Sequence, residues 1–340
     1  DRALLDLTLE LDGHDLKDLR VNEEEFDVAY HDVDPDMLRA LNRAYCRIRR
    51  FHRMQMPPKT WCCSAGEGIV LGVRSAPLER VGAYIPGGRA CYPSTVLMAT
   101  IPPMVAGVRS ICCCSPPPIA PAALVAMHLT GIREVYTLGG AQAIAAMAYG
   151  TETVPRVDKI VGPGNKYVTA AKMVVYGTVD IDSPAGPSEA LILADESADP
   201  ELIAWDFLSQ IEHDPDSAAV LVTTSRQVAD ALCRALEREY PSLPRKEIIA
   251  SSLARHSHVL IAEDMEQAID FTNEYAAEHL QILTKDPFIT LNRIRHAGSI
   301  FLGPYAPVPV GDYASGTNHV LPTGRGARMF SGLSVDCLLY

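Results

Sequence analysis

Glu134-Val-Tyr-Thr-Leu138-Gly139-Gly140-Ala-Gln142-Ala-Ile-Ala-Ala-Met-Ala-Tyr149 carries the change of period that decides the fold. Residues 134–138 are a short β-branched and aromatic run, followed by two glycines and an Ala-rich segment of strong helix formers. A strand feeding a helix across a glycine turn is half of a βαβ unit, and the pattern recurs on both sides of this stretch. Strands are expected at 80–85, 110–114, 134–138 and 158–161. Helices are expected from about Ser94, from Pro121, from Gly140 and after Gly162-Pro-Gly-Asn165. Ser115-Pro-Pro-Pro-Ile-Ala-Pro121 reads as a stiff loop whose last proline opens a helix. Short strands alternating with Ala-rich helices predict an α/β fold, a parallel sheet covered by helices.

The second half repeats the alternation, with strands expected at 190–194, 218–223, 259–262, 280–283 and 299–302. Helices at 200–212, 226–238, 265–276 and 287–295 lie between them, the second with a clean Val228, Leu232, Leu236 seam. The halves share this architecture without an obvious sequence repeat. Up to about Pro58 the chain is charged and helical, with Leu4, Leu7 and Leu11, then Leu38, Leu41, Tyr45 and Ile48, at helical spacing. Residues 20–36 are expected to be a polar connection, with Glu23-Glu24-Glu25 as a solvated helix start.

The 340 residues suggest two domains on a prior of ~150 each. A net charge of -12 argues against nucleic acid or an anionic membrane surface as a partner. The longest apolar run, 96–108, holds two prolines and falls short of the ~20 residues a membrane helix needs. The nine cysteines include Cys62-Cys63 and Cys112-Cys113-Cys114, whose adjacency suits neither a disulfide framework nor one metal. They are expected to be free thiols in a reducing cytoplasm. The start at Asp1, without methionine and without a signal peptide, reads as the start of a fragment.

Three glycine turns, Pro86-Gly87-Gly88, Gly139-Gly140 and Gly162-Pro163-Gly164, belong at the carboxyl ends of parallel strands, where such sheets bind ligands. Helix amino termini there favour phosphate, although none of the turns matches Gly-x-Gly-x-x-Gly. A dinucleotide is one candidate ligand; glycines that only permit tight turns are the plainer reading. In the helix after Asp199, Leu202, Ile203, Trp205, Phe207, Leu208 and Ile211 form the apolar stripe. Asp206, Gln210 and His213 recur at i, i+4 and i+7 on another face, which is either solvated or presents an amide and an imidazole to a metal. Glu278-His279 stands where a helix gives way to a strand, and residues 311–319 form a small polar loop. Asp312 with Gln210 and His213 would give three ligands suited to zinc with a position left open. Glu278 and His279 could do acid–base work, since imidazole titrates near neutrality. His14, His31, His52, His128, His256, His258 and His296 are assigned no role.

These stretches also carry a resemblance. "VGAYIPGG", "YPSTVLM", "LGGAQAIAAMAYGT", "VDKIVGPGNKYV", "PAGPSEALILAD", "LSQIEHDPDS", "YAAEHLQI", "AGSIFLG" and "GDYASGTNHVLPT" occur in one order over nearly the whole chain. Together they resemble the histidinol dehydrogenase family. The resemblance implies two related, incomplete Rossmann-type domains with parallel-rich sheets, one inserted in the other. Residues 62–188 would be an inserted NAD-binding domain. Residues 1–61 with 189–333 would be a discontinuous metal, substrate and catalytic domain, and 334–340 the start of a C-terminal tail.

The same resemblance implies a cytoplasmic, zinc-dependent, NAD-linked four-electron oxidation of L-histidinol to L-histidine through histidinal, the last two steps of histidine biosynthesis. Zinc would be held by Gln210, His213 and Asp312, with a further histidine from the tail, and would orient the amino alcohol. His279 would be the base for the hydroxyl proton, and Glu278 would activate water on the aldehyde. Ser188, Gln210, His213, His279, Asp312 and His319 match substrate contacts; Tyr84, Gln142 and Asn165 match NAD contacts. The family acts as a homodimer in which the tail's histidine and a substrate-binding glutamate serve the partner's site. Tyr340 precedes both residues, which marks either a cut in a longer protein or an impaired version. The alternatives are a relative oxidising another amino alcohol or a sulfonated propanediol, and a metal- or nucleotide-binding remnant without turnover.

Overall fold

A computed structural model describes residues 1–87 and 92–340, so Gly88 of the first glycine turn lies outside the described residues. By contacts the chain forms two units: residues 1–182 with 313–320 and 333–340, and residues 183–312 with 321–332.

The first unit opens with α1 (Arg2–Asp12), α2 (Glu23–Asp32) and α3 (Pro35–Arg53). The expected polar connection therefore contains a helix. Asn22 and Glu25 form a reciprocal capping box, each side chain bonded to the other's backbone amide at 3.0 Å, and Phe26 and Ala29 are buried beneath the acidic first turn. A hairpin follows, β1 (Thr60–Gly66) and β2 (Ile69–Arg74), exposed along its whole length. Glu67 and Gly68 both have positive φ at its tip, as a tight hairpin turn requires.

Then come β3 (Arg80–Tyr84), α4 (Pro93–Ala106), β4 (Ser110–Ser115), α5 (Pro121–Leu129), β5 (Glu134–Thr137), α6 (Gly140–Tyr149), β6 (Lys159–Val161), α7 (Lys166–Val175) and the short β7 (Asp180–Ile181). The sheet runs β5-β4-β3-β6-β7, all parallel. Cys112, Cys113 and Cys114 are buried on β4, where burial pushes the Cys112 thiol up to about 12. They pack as small apolar residues.

By contacts residues 1–61 group with this sheet, whereas the resemblance had implied that they join 189–333. Leu4 and Leu19 join the core that holds Tyr84 and Ile144, while Phe26, Leu41 and Ile48 join the core around Val81 and Leu97. Val21 N and Thr137 N bond across to Val135 O and Leu19 O at 2.9 and 2.7 Å, tying this arm to the edge of β5.

The second unit contains β8 (Glu189–Ala194), α8 (Pro200–Ile211), β9 (Ala218–Thr223), α9 (Arg226–Glu239), α10 (Lys246–Arg255), β10 (His258–Ile261), α11 (Met265–Tyr275), β11 (His279–Leu283), α12 (Pro287–Leu291) and β12 (Ser299–Leu302). Its order, β10-β9-β8-β11-β12, repeats that of the first sheet, and every pairing is again parallel. In each sheet the third strand lies at one edge and the first pairs with the fourth, the doubly wound arrangement. Central strands read as apolar runs because helices cover both faces, as on β8 and β11. No described helix is long and apolar enough to cross a membrane.

Candidate active site

In the second unit the polar residues gather at the amino-terminal ends of β8 and β11. Glu278 immediately precedes β11 and His279 begins it, and Glu189 begins β8 beside them through the pairing of His279 with Ala190. Ala276, in a left-handed conformation at φ 52, ends α11 and turns the chain into the strand. Helix α8 leaves from the far edge of the sheet, where Asp199 caps it through Glu201 N at 2.9 Å and Pro200 takes its first turn. Its last turn, with Gln210 and then His213, therefore comes back to the amino edge.

The apolar face of α8 differs from the expected one. Trp205 is 49% exposed and Leu202 is also exposed, while Ile203, Ala204, Phe207, Leu208 and Ile211 face the core. Asp206 and Gln210 are buried, so the face that could have been solvated is an interior one. Asp206, hydrogen-bonded to Gln281, is pushed up to about 6 by burial.

His279 is buried between two carboxylates. Its Nδ1 lies 3.7 Å from Glu278 Oε2 and its Nε2 lies 3.6 Å from Asp312 Oδ1. These are charge contacts, too long for hydrogen bonds, and both ring nitrogens are left without a partner. Burial alone would lower the His279 pKa, but Glu278 and then Asp312 outweigh it and hold it up at about 9. Glu278 is itself pushed up by burial to about 7, although His279, the Glu189 amide at 3.0 Å and the Ser188 hydroxyl favour its charged form. Burial lowers the His213 pKa, with the Asp312 charge opposing, which favours the neutral, ligating form of the ring. The Gln210 side-chain nitrogen is buried and unpartnered. Thus Ser188, His213, Glu278, His279 and Asp312 are brought into mutual electrostatic or hydrogen-bond reach, with Gln210 one helical turn before His213.

In the first unit, Tyr84, Gln142 and Asn165 line one cavity of about 670 Å³, at the carboxyl ends of their strands. The Tyr84 hydroxyl accepts from Gly140 N at 3.1 Å, fixing the start of α6. The Asn165 side-chain oxygen caps α7, accepting from Tyr167 N and Val168 N at 3.0 and 3.1 Å, so only its amide NH2 is free of that duty. At φ 109 Gly162 must be glycine: a Cβ there would run into the Tyr84 carbonyl. His319 also belongs to the first unit, where its Nε2 lies 3.1 Å from Thr95 Oγ1.

A family model described as histidinol dehydrogenase matches residues 1–339. The chain belongs to the histidinol dehydrogenase family. It is 51% identical to the histidinol dehydrogenase of Methanothermobacter thermautotrophicus, over 100% of this chain and 80% of that protein. It is 52% identical to that of Methanosarcina barkeri, over 99% of this chain and 78% of the relative. The crystal structure of histidinol dehydrogenase from Elizabethkingia anophelis superposes with a TM-score of 0.97 at 41% identity, covering 100% of this chain and 79% of that one. Membership in the histidinol dehydrogenase family makes this an oxidoreductase of histidine biosynthesis.

Two residues shaping this histidinol dehydrogenase-family site had escaped the reading of its sequence. Glu189, whose amide holds Glu278, is inconspicuous at a strand start. Gly298 sits just before β12, where a lone glycine beside a strand signals close backbone approach. A Cβ on Gly298 would lie 2.6 Å from the Glu278 carbonyl oxygen, which is fixed by Ser299 N at 2.8 Å. Gly298→Ala is therefore expected to displace the Glu278–His279 backbone, costing ~1–3 kcal/mol of stability and a larger share of activity than of fold. Thermal melting and turnover of the variant check this; an unchanged melt with full activity would mean that the contact yields freely.

Proposed function

We propose that the protein oxidises L-histidinol to L-histidine through histidinal, in two NAD-linked hydride transfers at a zinc site, as a cytoplasmic homodimer. The observation that carries this reading is the buried row Glu278–His279–Asp312 in a chain of the histidinol dehydrogenase family. Gln210, His213 and Asp312 fit zinc: they offer an amide oxygen, an imidazole that burial biases to its neutral form, and a carboxylate, and the buried Gln210 side chain has no partner for its amide nitrogen. When bound, zinc supplies an electrophilic anchor for the amino alcohol and NAD accepts hydride. The cavity around Tyr84, Gln142 and Asn165 supports nucleotide binding. The exposed apolar ribbon of Trp61, Ile69, Val70, Leu71 and Val73 supports an association between subunits.

His279 takes the hydroxyl proton of the alcohol as its carbon gives up hydride, which leaves the aldehyde. Glu278 then takes a proton from water as the water oxygen adds to the aldehyde carbon, and His279 returns its proton to the aldehyde oxygen, which gives the hydrate and frees His279 again. His279 receives a hydroxyl proton of the resulting hydrate as the second hydride departs, and the carboxylic acid is formed. A base near pKa 9 and an acid near 7, side by side, divide the proton traffic between them.

Glu278→Gln tests this division. The variant should still convert alcohol to aldehyde, while oxidation of supplied histidinal falls on the order of 10²-fold. Glu278 must be ionised to accept the water proton. Aldehyde oxidation already falls with pH below about 9 through His279, so below about 7 the fall should steepen by a further factor of about ten per pH unit, and the glutamine variant should lose only that added steepness. Undiminished aldehyde oxidation by Glu278→Gln would contradict the assignment.

A further inference from the structure

The cavity lined by Tyr84, Gly87, Gln142 and Asn165 also takes in Asp12, the last residue of α1. Asp12 Oδ2 is a buried carboxylate oxygen without a hydrogen-bond partner. It stands 3.4 Å from the point that a Cβ on Gly139 would occupy, and Pro116 Cβ lies 2.6 Å from the same point. Gly139 follows β5 and Pro116 follows β4, so the Asp12 carboxylate sits over the carboxyl ends of both strands.

That position has a chemical meaning in a doubly wound sheet. An acid about 20 residues beyond the first glycine turn normally accepts hydrogen bonds from the ribose hydroxyls of a bound dinucleotide. Here the second strand of the sheet, β4, ends in Ser115-Pro116-Pro117-Pro118 and supplies no acid. α1 brings one to the same edge instead. Burial raises the Asp12 pKa, with His14 opposing, as expected for an acceptor whose donors are not part of the protein. Among the described residues lining the cavity none is Lys or Arg.

We propose that Asp12 accepts hydrogen bonds from the vicinal hydroxyls of the adenosine ribose and so selects NAD over its 2′-phosphorylated counterpart. This rests on the dinucleotide reading of the cavity. The ribose offers two O–H donors to an acceptor that lacks any, whereas a 2′-phosphate removes one donor and sets a dianion beside a carboxylate.

Fluorescence titration of NADH and NADPH into the 340-residue chain and its Asp12→Asn, Asp12→Ser and Gln142→Ala variants tests the proposal. Thermal melting reports whether each variant is folded. Both Asp12 variants should bind NADH about tenfold or more weakly, the scale of a hydrogen bond to a charged group, while NADPH binding holds or improves. Gln142→Ala should weaken both ligands alike. An unchanged NADH-to-NADPH ratio in both Asp12 variants, with Gln142→Ala still weakening NADH, overturns the role of Asp12. Failure of the unmodified protein to bind either nucleotide overturns the cavity reading and the proposal with it.

Discussion

His279→Asn should slow the oxidation of histidinol and the oxidation of supplied histidinal alike, each by about 10³–10⁴-fold, the upper range for loss of a general base. Asparagine keeps a polar side chain of similar reach but cannot take a proton in this pH range. The effect should be this large because no other group can substitute. Glu278, the neighbouring carboxylate, is already assigned to water, and Asp312 is assigned to the metal. The position of His279 is also unusual in its electrostatics. Two carboxylates at 3.6 and 3.7 Å hold its proton affinity up against the effect of burial. A base with a pKa near 9 is mostly protonated at neutrality, so turnover should climb with pH until about 9 and then level. Steady-state rates of both half-reactions from pH 6 to 10 check both statements. A variant that loses only one half-reaction would show that the two oxidations use different bases.

Asp312→Asn should have an effect of similar size through the metal. It removes the negative charge from the donor set and one of the two carboxylates beside His279. Truncating one partner of a buried charge interaction costs ~2–5 kcal/mol, which corresponds to ~30- to several-thousand-fold in affinity. Zinc measured by competition with a chelator should bind at least ~30-fold more weakly, and turnover at limiting zinc should fall with it. The His279 pKa should drop as well, because Asp312 is among the charges that raise it. Unchanged zinc affinity in this variant would remove Asp312 from the ligand set.

The alternation of strands and helices was legible because it rests on period. A run such as 134–138 cannot be amphipathic over a helical turn, and the alanines after Gly140 cannot favour a strand. Which face of a helix is buried was harder to read. On α8 both sides carry apolar residues, and periodicity groups Trp205 with neither side decisively. Only packing against β9 and α9 decides that Ile203, Phe207 and Ile211 go inward and that Asp206 and Gln210 are interior too. Helix α2 was legible at its acidic start, Glu23-Glu24-Glu25, but not in its extent, since its signal lay in the Asn22–Glu25 capping box rather than in apolar spacing. The ribbon β1–β2 was hidden because its apolar residues face solvent, which breaks the rule that alternation marks burial.

The site was legible in its residue types and in the strand ends they occupy, but not in how they assemble. Glycine turns suggest that ligands gather at the carboxyl ends of the strands, and in the first unit the cavity around Tyr84, Gln142 and Asn165 does lie there. In the second unit Glu278 and His279 stand at the opposite, amino-terminal edge. Their place between a helix and the following strand already put them at that edge; which residues meet them there was not legible, because that depends on packing such as the Glu189 pairing beside β11.

The central claim is that a single site carries the substrate through four electrons of oxidation. The most direct measurement supplies the zinc-loaded protein with a limiting amount of histidinol and excess NAD, then counts NADH and identifies the product. The account predicts two NADH per histidinol, with histidine released and no free aldehyde. One NADH per histidinol, with histidinal as the final product, would contradict it.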